Sequence, residues 1–377
     1  MSAEAMKRSL GKTACKEAPA IPTEQLDVAR GLENLPVSAW PPGAGPRPAP
    51  FQYTPDHVAG PGADMDPSQI TFPGCVCMET PCLPGTCSCL RHAESYDDSL
   101  CLRDIGLEAE YAKPVFECNA LCLCGENCRN RVVQRGLQFH LQVFQTDKKG
   151  WGLRTLEWIP KGRFVCEYAG EVLGFSEVQR RIHLQTAHDP NYIIAIREHV
   201  YNGQVMETFV DPTYIGNIGR FLSHSCEPNL LMIPVRIDSM VPKLALFAAK
   251  DILPAEELSY DYSGRFLNLV GSKDKERIDH GKLRKPCHCG ARSCAAFLPY
   301  DSSLYCHLEK QDICAQNQRE PSIQGSTASV LPSCKQPTLR EVCLVVSSLL
   351  LSVRGQWLSS LASAWVPKFD SGMWPRL

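Results

Sequence analysis

Residues 75–89 read CVCMETPCLPGTCSC and residues 118–128 read CNALCLCGENC, so two short runs hold nine cysteines. Structural zinc sites take four thiolate or imidazole ligands in a tetrahedron, and closely spaced cysteines can bind one ion together. Three such ions need about twelve ligand positions, which nine sulfurs fill if three of them each bridge two ions. The spacing therefore predicts one compact three-zinc cluster rather than two independent fingers. Its ligands are Cys75, Cys77, Cys82, Cys87, Cys89, Cys118, Cys122, Cys124 and Cys128.

A disulfide framework is the alternative interpretation of these cysteines. It requires an oxidising compartment and hence a secretory signal. The opening segment, MSAEAMKRSLGKTACKEAPA, has no apolar core of the kind that signal peptides contain. The total of 20 cysteines in 377 residues is about 5% of the chain, which is below the density of small disulfide-bonded scaffolds. Both observations favour metal binding.

The length and composition are those of an ordinary multidomain protein. A chain of 377 residues allows two or three domains and a sizeable core. The formal net charge of -2 provides no overall positive surface for binding nucleic acid. The longest apolar run, from Val342 to Val353, is too short for a transmembrane helix and ends at Arg354. We expect it to form a tail helix or an unstructured tail.

Both ends of the chain are predicted to have little order. From Pro36 to Pro67 there are nine prolines and four glycines in 32 positions, a composition typical of an extended, solvated segment. We therefore assign residues 1–71 to a largely disordered Pro/Gly-rich N-terminal segment. Residues 300–377 lose hydrophobic periodicity and are rich in Ser, Gln and Pro, which predicts a low-order C-terminal tail.

Short apolar stretches between these ends predict a mainly β domain. Each stretch is four to eleven residues long and is bounded by glycine, proline or charged residues. The stretches are FHLQVFQT (139–146), RFVCEYAGEVL (163–173), YIIAI (192–196), ETFV (207–210) and KLALFAA (243–249). Asn202-Gly203 lies between the third and fourth stretches and predicts a hairpin turn, because both residues tolerate positive φ.

One helix is predicted over about residues 176–188. Ser176 and Gln179 have the spacing of a capping box. Val178 and Ile182 lie one helical turn apart and give the segment an apolar face.

Four further motifs carry candidate chemistry: KGWG (149–152), RFLSHSCEPN (220–229), ELSYDY (257–262) and CHCGARSC (287–294). The glycines of the first allow the backbone to approach a ligand without a Cβ clash, although a tight turn before a strand explains them equally well. The YDY triplet of ELSYDY, taken alone, is more typical of aromatic residues packed in a strand. The last supplies three cysteines, one fewer than a tetrahedral zinc site needs.

Taken together, these motifs resemble the SET-domain protein lysine methyltransferases that carry pre-SET and post-SET zinc modules. The resemblance covers about residues 72–298 and implies a mainly β SET fold with short helices and a pseudoknot, flanked by the two zinc modules. It divides the chain into a pre-SET three-zinc module at 72–136, a SET catalytic domain at 137–263 and a post-SET zinc module at 264–299.

The resemblance also implies an activity and its site residues. The expected reaction transfers a methyl group from S-adenosylmethionine to a lysine of a histone tail, with histone H3 as the expected substrate and mono- and dimethyl-lysine as the main products. Tyr262 corresponds to the catalytic tyrosine, and Tyr260 to the position that controls how many methyl groups the lysine receives. Tyr192 corresponds to a tyrosine that lines both the cofactor site and the lysine site. The implied cofactor-binding residues are Lys149, Gly150, Trp151, Tyr192, Arg220, Ser223 and His224.

One residue departs from the family's pattern. The family motif begins N-H-S-C, whereas this chain has Ser223 before His224. Serine keeps a hydroxyl but loses the carboxamide and its pair of donors. The substitution predicts a weaker contact with the cofactor.

The resemblance implies a fourth zinc ion in the post-SET module. Cys287, Cys289 and Cys294 would bind it together with Cys226 of the SET motif. His288 is an alternative fourth ligand, but its neighbours Cys287 and Cys289 are both expected ligands, so binding through His288 would be sterically cramped. Cys101 lies between the two cysteine runs, and we expect it to be a buried free thiol rather than a ligand.

The expected partner is a histone tail in the nucleus, on chromatin. Thirteen zinc-binding thiolates contribute -13 and four zinc ions +8, so the formal charge falls to about -7, which favours a basic polypeptide. Some family members are fused to a mariner transposase, but this chain departs into an unrelated tail after about Leu339. Neither sequence-specific DNA binding nor membrane association is therefore expected.

Two alternative functions were weighed against this one. A DNA methyltransferase would show a strand, a Gly-rich loop and a helix in succession, and the GxG strings here lie in the Pro-rich segment. A zinc-scaffolded chromatin-binding or adaptor protein, with a site weakened by Ser223, is the second alternative. Retention of Tyr192, His224, Tyr260 and Tyr262 favours the enzyme.

Overall fold

The structure of the chain is a computed structural model that describes residues 26–39, 48–78, 82–90, 94–103, 115–186, 189–199, 205–264 and 285–304. Contacts between residues divide the chain into two units. One unit comprises residues 1–195 and 208–306, and the other comprises residues 196–207 and 307–377. The first unit contains nearly all of the described residues.

The described part of the chain is mainly β. Its strands are β1 (Ser38–Ala39), β2 (Gln52–Tyr53), β3 (Val58–Ala59), β4 (Val115–Phe116), β5 (Leu141–Gln145), β6 (Trp151–Thr155), β7 (Phe164–Glu167), β8 (Gly170–Leu173), β9 (Ile194–His199), β10 (Val205–Gly216), β11 (Ser223–His224), β12 (Leu230–Arg236), β13 (Lys243–Ala248) and β14 (Ser259–Tyr260). The helices are α1 (Phe175–Leu184) and three 3-10 turns at Val133–Arg135, Ile218–Phe221 and Ser302–Leu304. Among the described residues there is no helix with the length and apolarity to cross a membrane.

The strands form four small sheets. One has the order β1-β5-β6, a second β2-β10-β8-β3 with β9 paired to β10, a third β4-β12-β13-β7, and the last is the two-stranded pair β11-β14. In the third sheet β12 and β13 are antiparallel, with Leu230 opposite Ala248 and Val235 opposite Lys243. The predicted mainly β SET-type architecture is confirmed.

Each apolar stretch singled out in the sequence contributes to a strand. FHLQVFQT forms β5, RFVCEYAGEVL forms β7 and β8, and KLALFAA forms β13. β12 was not predicted. Pro234 lies inside it, and proline in a strand interior argues against a strand on propensity grounds.

The predicted hairpin is present as a strand pair. β9 pairs with β10, and within this hairpin Arg197 Nε lies 2.7 Å from Glu207 Oε1. Asn202 and Gly203, which were predicted to form the turn, lie outside the described residues.

The helix was predicted with the wrong start and end. It begins at Phe175 and ends at Leu184, and its N-cap is Gly174 with no side-chain capping bond, so Ser176 and Gln179 form no capping box. A Cβ on Gly174 would lie 2.1 Å from the Gly62 carbonyl oxygen. Because that backbone packs against the helix start, the entry position requires glycine. Val178 and Ile182 are buried as predicted.

The N-terminal segment was predicted to be solvated, and this is wrong for its described residues. β1 pairs with β5, β2 with β10 and β3 with β8, all in parallel. Each pairing is only two residues long, so prolines can stand between the strands without interrupting a ladder. Residues 1–25 and 40–47, like residues 305–377 of the tail, lie outside the described residues.

The cysteine-rich module is held by sulfur rather than by an apolar core. Its buried hydrophobic cluster consists of cysteines and Leu90, with Cys77 and Cys89 partly buried beside it. In its described residues the only strand is β4. Cys101 lies outside this cluster, and its thiol is partly exposed rather than buried as predicted.

A buried carboxylate joins separate segments of this module. Glu117 is 2% exposed, and its Oε1 accepts hydrogen bonds from the Tyr96 hydroxyl at 2.7 Å and from the backbone nitrogens of Val132 and Val133 at 3.0 and 2.8 Å. Its Oε2 accepts from the Gln134 side chain at 2.8 Å. Without this carboxylate, the Tyr96 hydroxyl and the backbone nitrogens of Val132 and Val133, all in buried residues, would lose their acceptor.

Replacing Glu117 with Gln should destabilise the zinc-loaded protein by about 2–3 kcal/mol, because an amide cannot accept all of these bonds and leaves buried donors unpaired. The urea midpoint measures the change. Glu126→Gln is the matched control, since Glu126 is exposed in the same module. Equal midpoints for the two variants would contradict the role given to Glu117.

Candidate active site and metal clusters

The parallel pair β11-β14 brings two of the sequence motifs together. Ser223 is opposite Ser259, and His224 is opposite Tyr260. The pairing continues through the Ser225 nitrogen, which donates to the Tyr260 carbonyl at 3.1 Å. The segments RFLSHSCEPN and ELSYDY therefore lie side by side although 27 residues, 230–256, separate them in the chain.

Asn229 stabilises the β11-β14 pair through hydrogen bonds. It was not predicted as a site residue. Its Oδ1 accepts from the Ser259 nitrogen at 2.8 Å, and its Nδ2 donates to the Glu257 carbonyl at 2.8 Å and to Glu256 Oε1 at 3.0 Å. The final asparagine of the motif therefore holds the strand that leads to the YDY tyrosines.

Four tyrosines gather beside this junction. The rings of Tyr260 and Tyr262 lie 4.8 Å apart, and those of Tyr168 and Tyr260 lie 6.1 Å apart. The Tyr262 hydroxyl donates to the Leu222 carbonyl at 2.6 Å, and the Tyr168 hydroxyl donates to the Tyr192 carbonyl at 2.5 Å. Tyr168 lies in the segment EYAGE, where the sequence alone favoured simple packing in a strand.

The phenols of Tyr260 and Tyr262 remain protonated at neutral pH because the pKa of each is raised. Burial raises the pKa of Tyr260 well above its usual range, with Tyr168 and Tyr262 adding to the effect. Burial also raises the pKa of Tyr262, and the neighbouring Tyr192 and Glu257 raise it further. Both hydroxyls can thus serve as neutral hydrogen-bonding groups, but neither can act as a base at physiological pH.

His224 connects the tyrosines to a cysteine. It is 4% exposed; its Nδ1 accepts from the Tyr262 nitrogen at 3.2 Å, and its Nε2 lies 3.4 Å from Cys226 Sγ. Because Nδ1 is an acceptor, a neutral ring carries its proton on Nε2, facing the sulfur. Burial lowers the pKa of His224, although Asp261 opposes the effect.

The KGWG segment is fixed to the same junction by an ion pair. Lys149 Nζ lies 2.7 Å from both carboxylate oxygens of Glu257. Gly150 has a φ of +75° and open space around the position of a Cβ, so its backbone is accessible to a ligand. Trp151 is half-buried. Glu257 was part of a quoted motif but was not predicted to have a role.

Arg220 is buried among aromatic rings. It is 5% exposed, and its guanidinium carbon lies 4.1 Å from the Phe51 ring centre and 4.8 Å from that of Tyr192. One terminal nitrogen donates to the Thr213 carbonyl at 3.3 Å. Its Nε is buried and has no partner among the described residues, as expected beside a site that receives a polar ligand.

The first cysteine cluster contains three overlapping sets of four sulfurs whose Sγ atoms all lie within 4.8 Å of one another. Cys75 belongs to all three sets, and Cys82 and Cys118 each belong to two. Cys128 Sγ lies 4.0 Å from Cys118 Sγ. Sharing of sulfurs between sets agrees with the prediction, but the sets contain eight of the nine cysteines, because Cys128 belongs to none of them. The sets are Cys75, Cys77, Cys82 and Cys87; Cys75, Cys89, Cys118 and Cys122; and Cys75, Cys82, Cys118 and Cys124.

The donors around these sulfurs also suit thiolate ligands. Cys122 Sγ accepts from the backbone nitrogens of Cys75 and Asn119 at 3.2 and 3.1 Å. A terminal nitrogen of Arg131 lies 3.6 Å from Cys124 Sγ. Clustered thiolates with N–H donors and a buried cation are compatible with zinc.

A second cluster joins the SET motif to the chain's last three-cysteine motif. The Sγ atoms of Cys226, Cys287, Cys289 and Cys294 lie within 4.8 Å of one another. His288 is not part of this group among the described residues, which favours Cys226 as the fourth ligand. The Ala295 nitrogen donates to Cys226 Sγ at 3.4 Å, and Ser293 donates to Glu227 Oε1 at 2.8 Å.

Comparisons with protein families give two matches. The SET domain family matches residues 150–263, and the Pre-SET motif family matches residues 29–131. The second match begins well before residue 72, where the sequence analysis placed the start of the pre-SET module. It agrees with the packing of the N-terminal strands onto the other sheets.

Curated relatives cover most of the chain. Histone-lysine N-methyltransferase SETMAR of Rattus norvegicus is 82% identical over 310 residues, which are 82% of this chain and 98% of the relative. SETMAR of Homo sapiens is 76% identical over 348 residues, which are 92% of this chain, and the chain spans about half (51%) of that relative's length.

Solved structures show the same fold. The methyltransferase domain of human SETMAR aligns with 79% identity and a TM-score of 0.65, over 74% of this chain and 99% of that one. Arabidopsis thaliana SUVH6 in complex with SAM aligns with 31% identity and a TM-score of 0.58, over 73% and 56% of the two chains. KRYPTONITE in complex with mCHH DNA, an H3(1-15) peptide and SAH aligns with 31% identity and a TM-score of 0.53, over 72% and 53%.

Ser223 stands where the family motif has asparagine, and mutation of this residue tests the effect of the difference. Its side chain is 7% exposed, and Ser223→Asn restores a carboxamide at that position. We expect tighter binding of S-adenosylmethionine or faster turnover, equivalent to about 1 kcal/mol for one added hydrogen bond. Calorimetry and single-turnover rates measure the two effects, with Ser223→Ala as the matched variant. Unchanged affinity and rate in Ser223→Asn would mean that the pocket already compensates for the missing amide.

Proposed function

The chain belongs to the SET-domain histone-lysine methyltransferases of the SETMAR and SUV39 type, and on that premise we propose that it methylates a lysine of the histone H3 tail, mainly to the mono- and dimethyl states. Its activity as an S-adenosylmethionine-dependent lysine methyltransferase follows from membership of the family. The observation that supports the finer proposal is the group of tyrosines beside the β11-β14 junction, where Tyr260 lies 4.8 Å from Tyr262.

We assign the cofactor to the surface formed by three segments. Lys149, Gly150 and Trp151 supply one side through exposed backbone. Ser223 and His224 supply the second, and Arg220 with Tyr192 supplies the third. When bound, S-adenosylmethionine supplies a positively charged sulfonium whose methyl group is the electrophile.

The target lysine must lose its proton before it can react, because an ammonium ion has no lone pair. A channel lined with phenol rings, of which Tyr168 and Tyr260 are buried, disfavours the charged amine by desolvation. Glu257, the carboxylate at the KGWG junction, is paired with Lys149 at 2.7 Å, which weakens its stabilisation of the ammonium form. The surroundings thus favour the neutral amine.

Tyr262 is proposed to orient this amine. Its hydroxyl is fixed at 2.6 Å from the Leu222 carbonyl, so its oxygen lone pairs point in a defined direction. Because its pKa is raised, the oxygen acts as a neutral acceptor rather than as a base. Holding the reacting groups in one geometry can supply several kcal/mol of the rate enhancement, on the order of 7–11 kcal/mol at most.

The metal clusters are proposed to hold four zinc ions, three in the pre-SET module and one in the post-SET module. The post-SET ion would tie Cys226 of the SET motif to Cys287, Cys289 and Cys294, and so close the segment after residue 285 over the site. We retain the division into a pre-SET module at 72–136, a SET domain at 137–263 and a post-SET module at 264–299, with the described N-terminal strands added to the folded part.

Histone H3 is proposed as the substrate on two grounds. KRYPTONITE, which shares the fold at 31% identity, is in complex with an H3(1-15) peptide and SAH. This chain has a formal charge of -2 before its zinc clusters are counted, and zinc-bound thiolates make it more negative, which favours a basic tail. A location in the nucleus on chromatin follows from such a substrate.

The decisive experiment incubates the purified, zinc-loaded protein with labelled S-adenosylmethionine and core histones. We expect label on histone H3, and its absence from all four core histones would leave the zinc-scaffolded adaptor as the better description. A Tyr262→Phe protein is the matched control for contaminating activities.

The zinc stoichiometry is a separate prediction. Elemental analysis of protein purified with zinc should give four ions per chain, and Cys226→Ser should lose one of them. His288→Ala should retain four, since His288 is not grouped with the sulfurs. Chelation should unfold the cysteine module because the metal supplies its folding energy. Two or fewer ions in the unmutated protein would rule out the assignment.

The number of methyl groups depends on Tyr260. Its hydroxyl occupies space that each added methyl needs, and a hydrogen bond worth about 1 kcal/mol biases successive transfers several-fold. We expect Tyr260→Phe to shift the product toward trimethyl-lysine, whereas Tyr262→Phe should lose most of the activity. Mass spectrometry of a histone tail peptide distinguishes these outcomes. Tyr96→Phe, which removes a buried phenol elsewhere, should leave the product ratio unchanged. Abundant trimethyl product from the unmutated protein would overturn the assignment of Tyr260.

A further inference from the structure

The N-terminal segment places one aromatic residue against the active site. Phe51 directly precedes β2, whose Gln52 and Tyr53 pair with Ile215 and Gly216 of β10. The register is extended by the Thr54 nitrogen, which donates to the Gly216 carbonyl at 2.9 Å. A second anchor is the Tyr53 hydroxyl, which donates to Glu33 Oε1 at 2.7 Å. The three residues that follow Phe51 are thus held by strand pairing and by the Tyr53 side chain.

The Phe51 ring contacts Arg220. Its centre lies 4.1 Å from the guanidinium carbon, the shortest such distance in the described residues. The same ring meets Phe221 edge-on, with centroids 5.8 Å apart. Arg220 also faces the Tyr192 ring at 4.8 Å, so one guanidinium connects an N-terminal residue to an active-site tyrosine.

Arg220 depends on these rings because it has no carboxylate partner among the described residues. Its guanidinium donates a hydrogen bond to the Thr213 carbonyl at 3.3 Å, and burial lowers the pKa of Arg220, although Tyr192, Tyr168 and Asp211 oppose the effect. Cation–π attraction strengthens when the pair is removed from water. The aromatic ring at position 51 therefore compensates part of the cost of burying this charge, as the group whose ring centre lies nearest the guanidinium carbon in the part of the chain that the structure describes.

We propose that Phe51 is a positioning residue for methyl transfer: its ring holds the Arg220 guanidinium, and Arg220 in turn fixes the Tyr192 ring at the cofactor and lysine site. This inference rests on the proposed roles of Arg220 and Tyr192. It extends the functional unit to residues before position 72, inside the Pre-SET match at residues 29–131, in a segment whose composition indicated disorder.

Phe51→Leu tests the proposal, since it keeps an apolar side chain but removes the ring. We expect its affinity for S-adenosylmethionine, measured by calorimetry, and its kcat on a histone H3 peptide each to fall about tenfold, the order of effect that loss of one desolvated cation–π pair produces. Phe51→Tyr restores the ring and should remain within about twofold of the unmutated protein.

Phe139→Leu is the matched control. Its ring faces Arg163 at 5.4 Å, away from the residues assigned to the site. Loss of this ring should lower the melting temperature to a similar extent as Phe51→Leu but leave cofactor affinity and kcat unchanged.

Two results would overturn the proposal: full cofactor affinity and kcat in Phe51→Leu, or a Phe51→Tyr variant as impaired as Phe51→Leu. An equal loss of both quantities in Phe139→Leu would also overturn it, because the effect would then be general destabilisation. Failure of the unmutated protein to methylate any histone would refute the proposed substrate instead, and the calorimetric comparison would still decide the role of Phe51.

Discussion

The short parallel pairing of Ser223–His224 with Ser259–Tyr260 is the contact on which the site depends. Parallel strands cannot be joined by a tight turn, so this pair requires the chain to travel through β12 and β13 before it returns. Asn229 secures the pairing by bonding to the Ser259 nitrogen and the Glu257 carbonyl. Two consequences follow from the one register: the YDY tyrosines are placed beside His224, and Cys226 is placed where the last three cysteines of the motif can reach it.

The proposed metal cluster and the proposed active site meet at His224. His224 faces the Tyr262 backbone with one nitrogen and the Cys226 sulfur with the other. If Cys226 binds zinc, its thiolate would accept a hydrogen bond from the Nε2 proton and so favour the tautomer in which Nδ1 accepts from Tyr262. Zinc in the post-SET cluster is thus expected to orient a residue next to the reacting groups, although it would take no part in the chemistry. The pre-SET cluster is different, since its sulfurs replace an apolar core.

Local patterns predicted the strands and the cysteine groups, because alternation and ligand spacing are properties of neighbouring residues. The sets of four sulfurs agree with the expected sharing of cysteines, and Cys226 joins the post-SET group. The N-terminal strands were missed because their proline content indicates solvation, whereas they are held by pairing with β5, β8 and β10. The contacts of Asn229, Glu257 and Phe51 were missed for a related reason: each joins positions far apart in the chain, and no periodicity reports such a contact.

The site achieves an apolar environment while keeping two cations close to it. Lys149 is neutralised by Glu257 at 2.7 Å, and Arg220 is covered by aromatic rings instead of a carboxylate. A carboxylate beside Arg220 would pair its charge more strongly, but an acidic group near the channel would also stabilise the ammonium form of the target lysine. Aromatic rings balance a cation without adding a formal negative charge. The choice of rings over an acidic partner is therefore consistent with a site that must present its substrate amine in the neutral state.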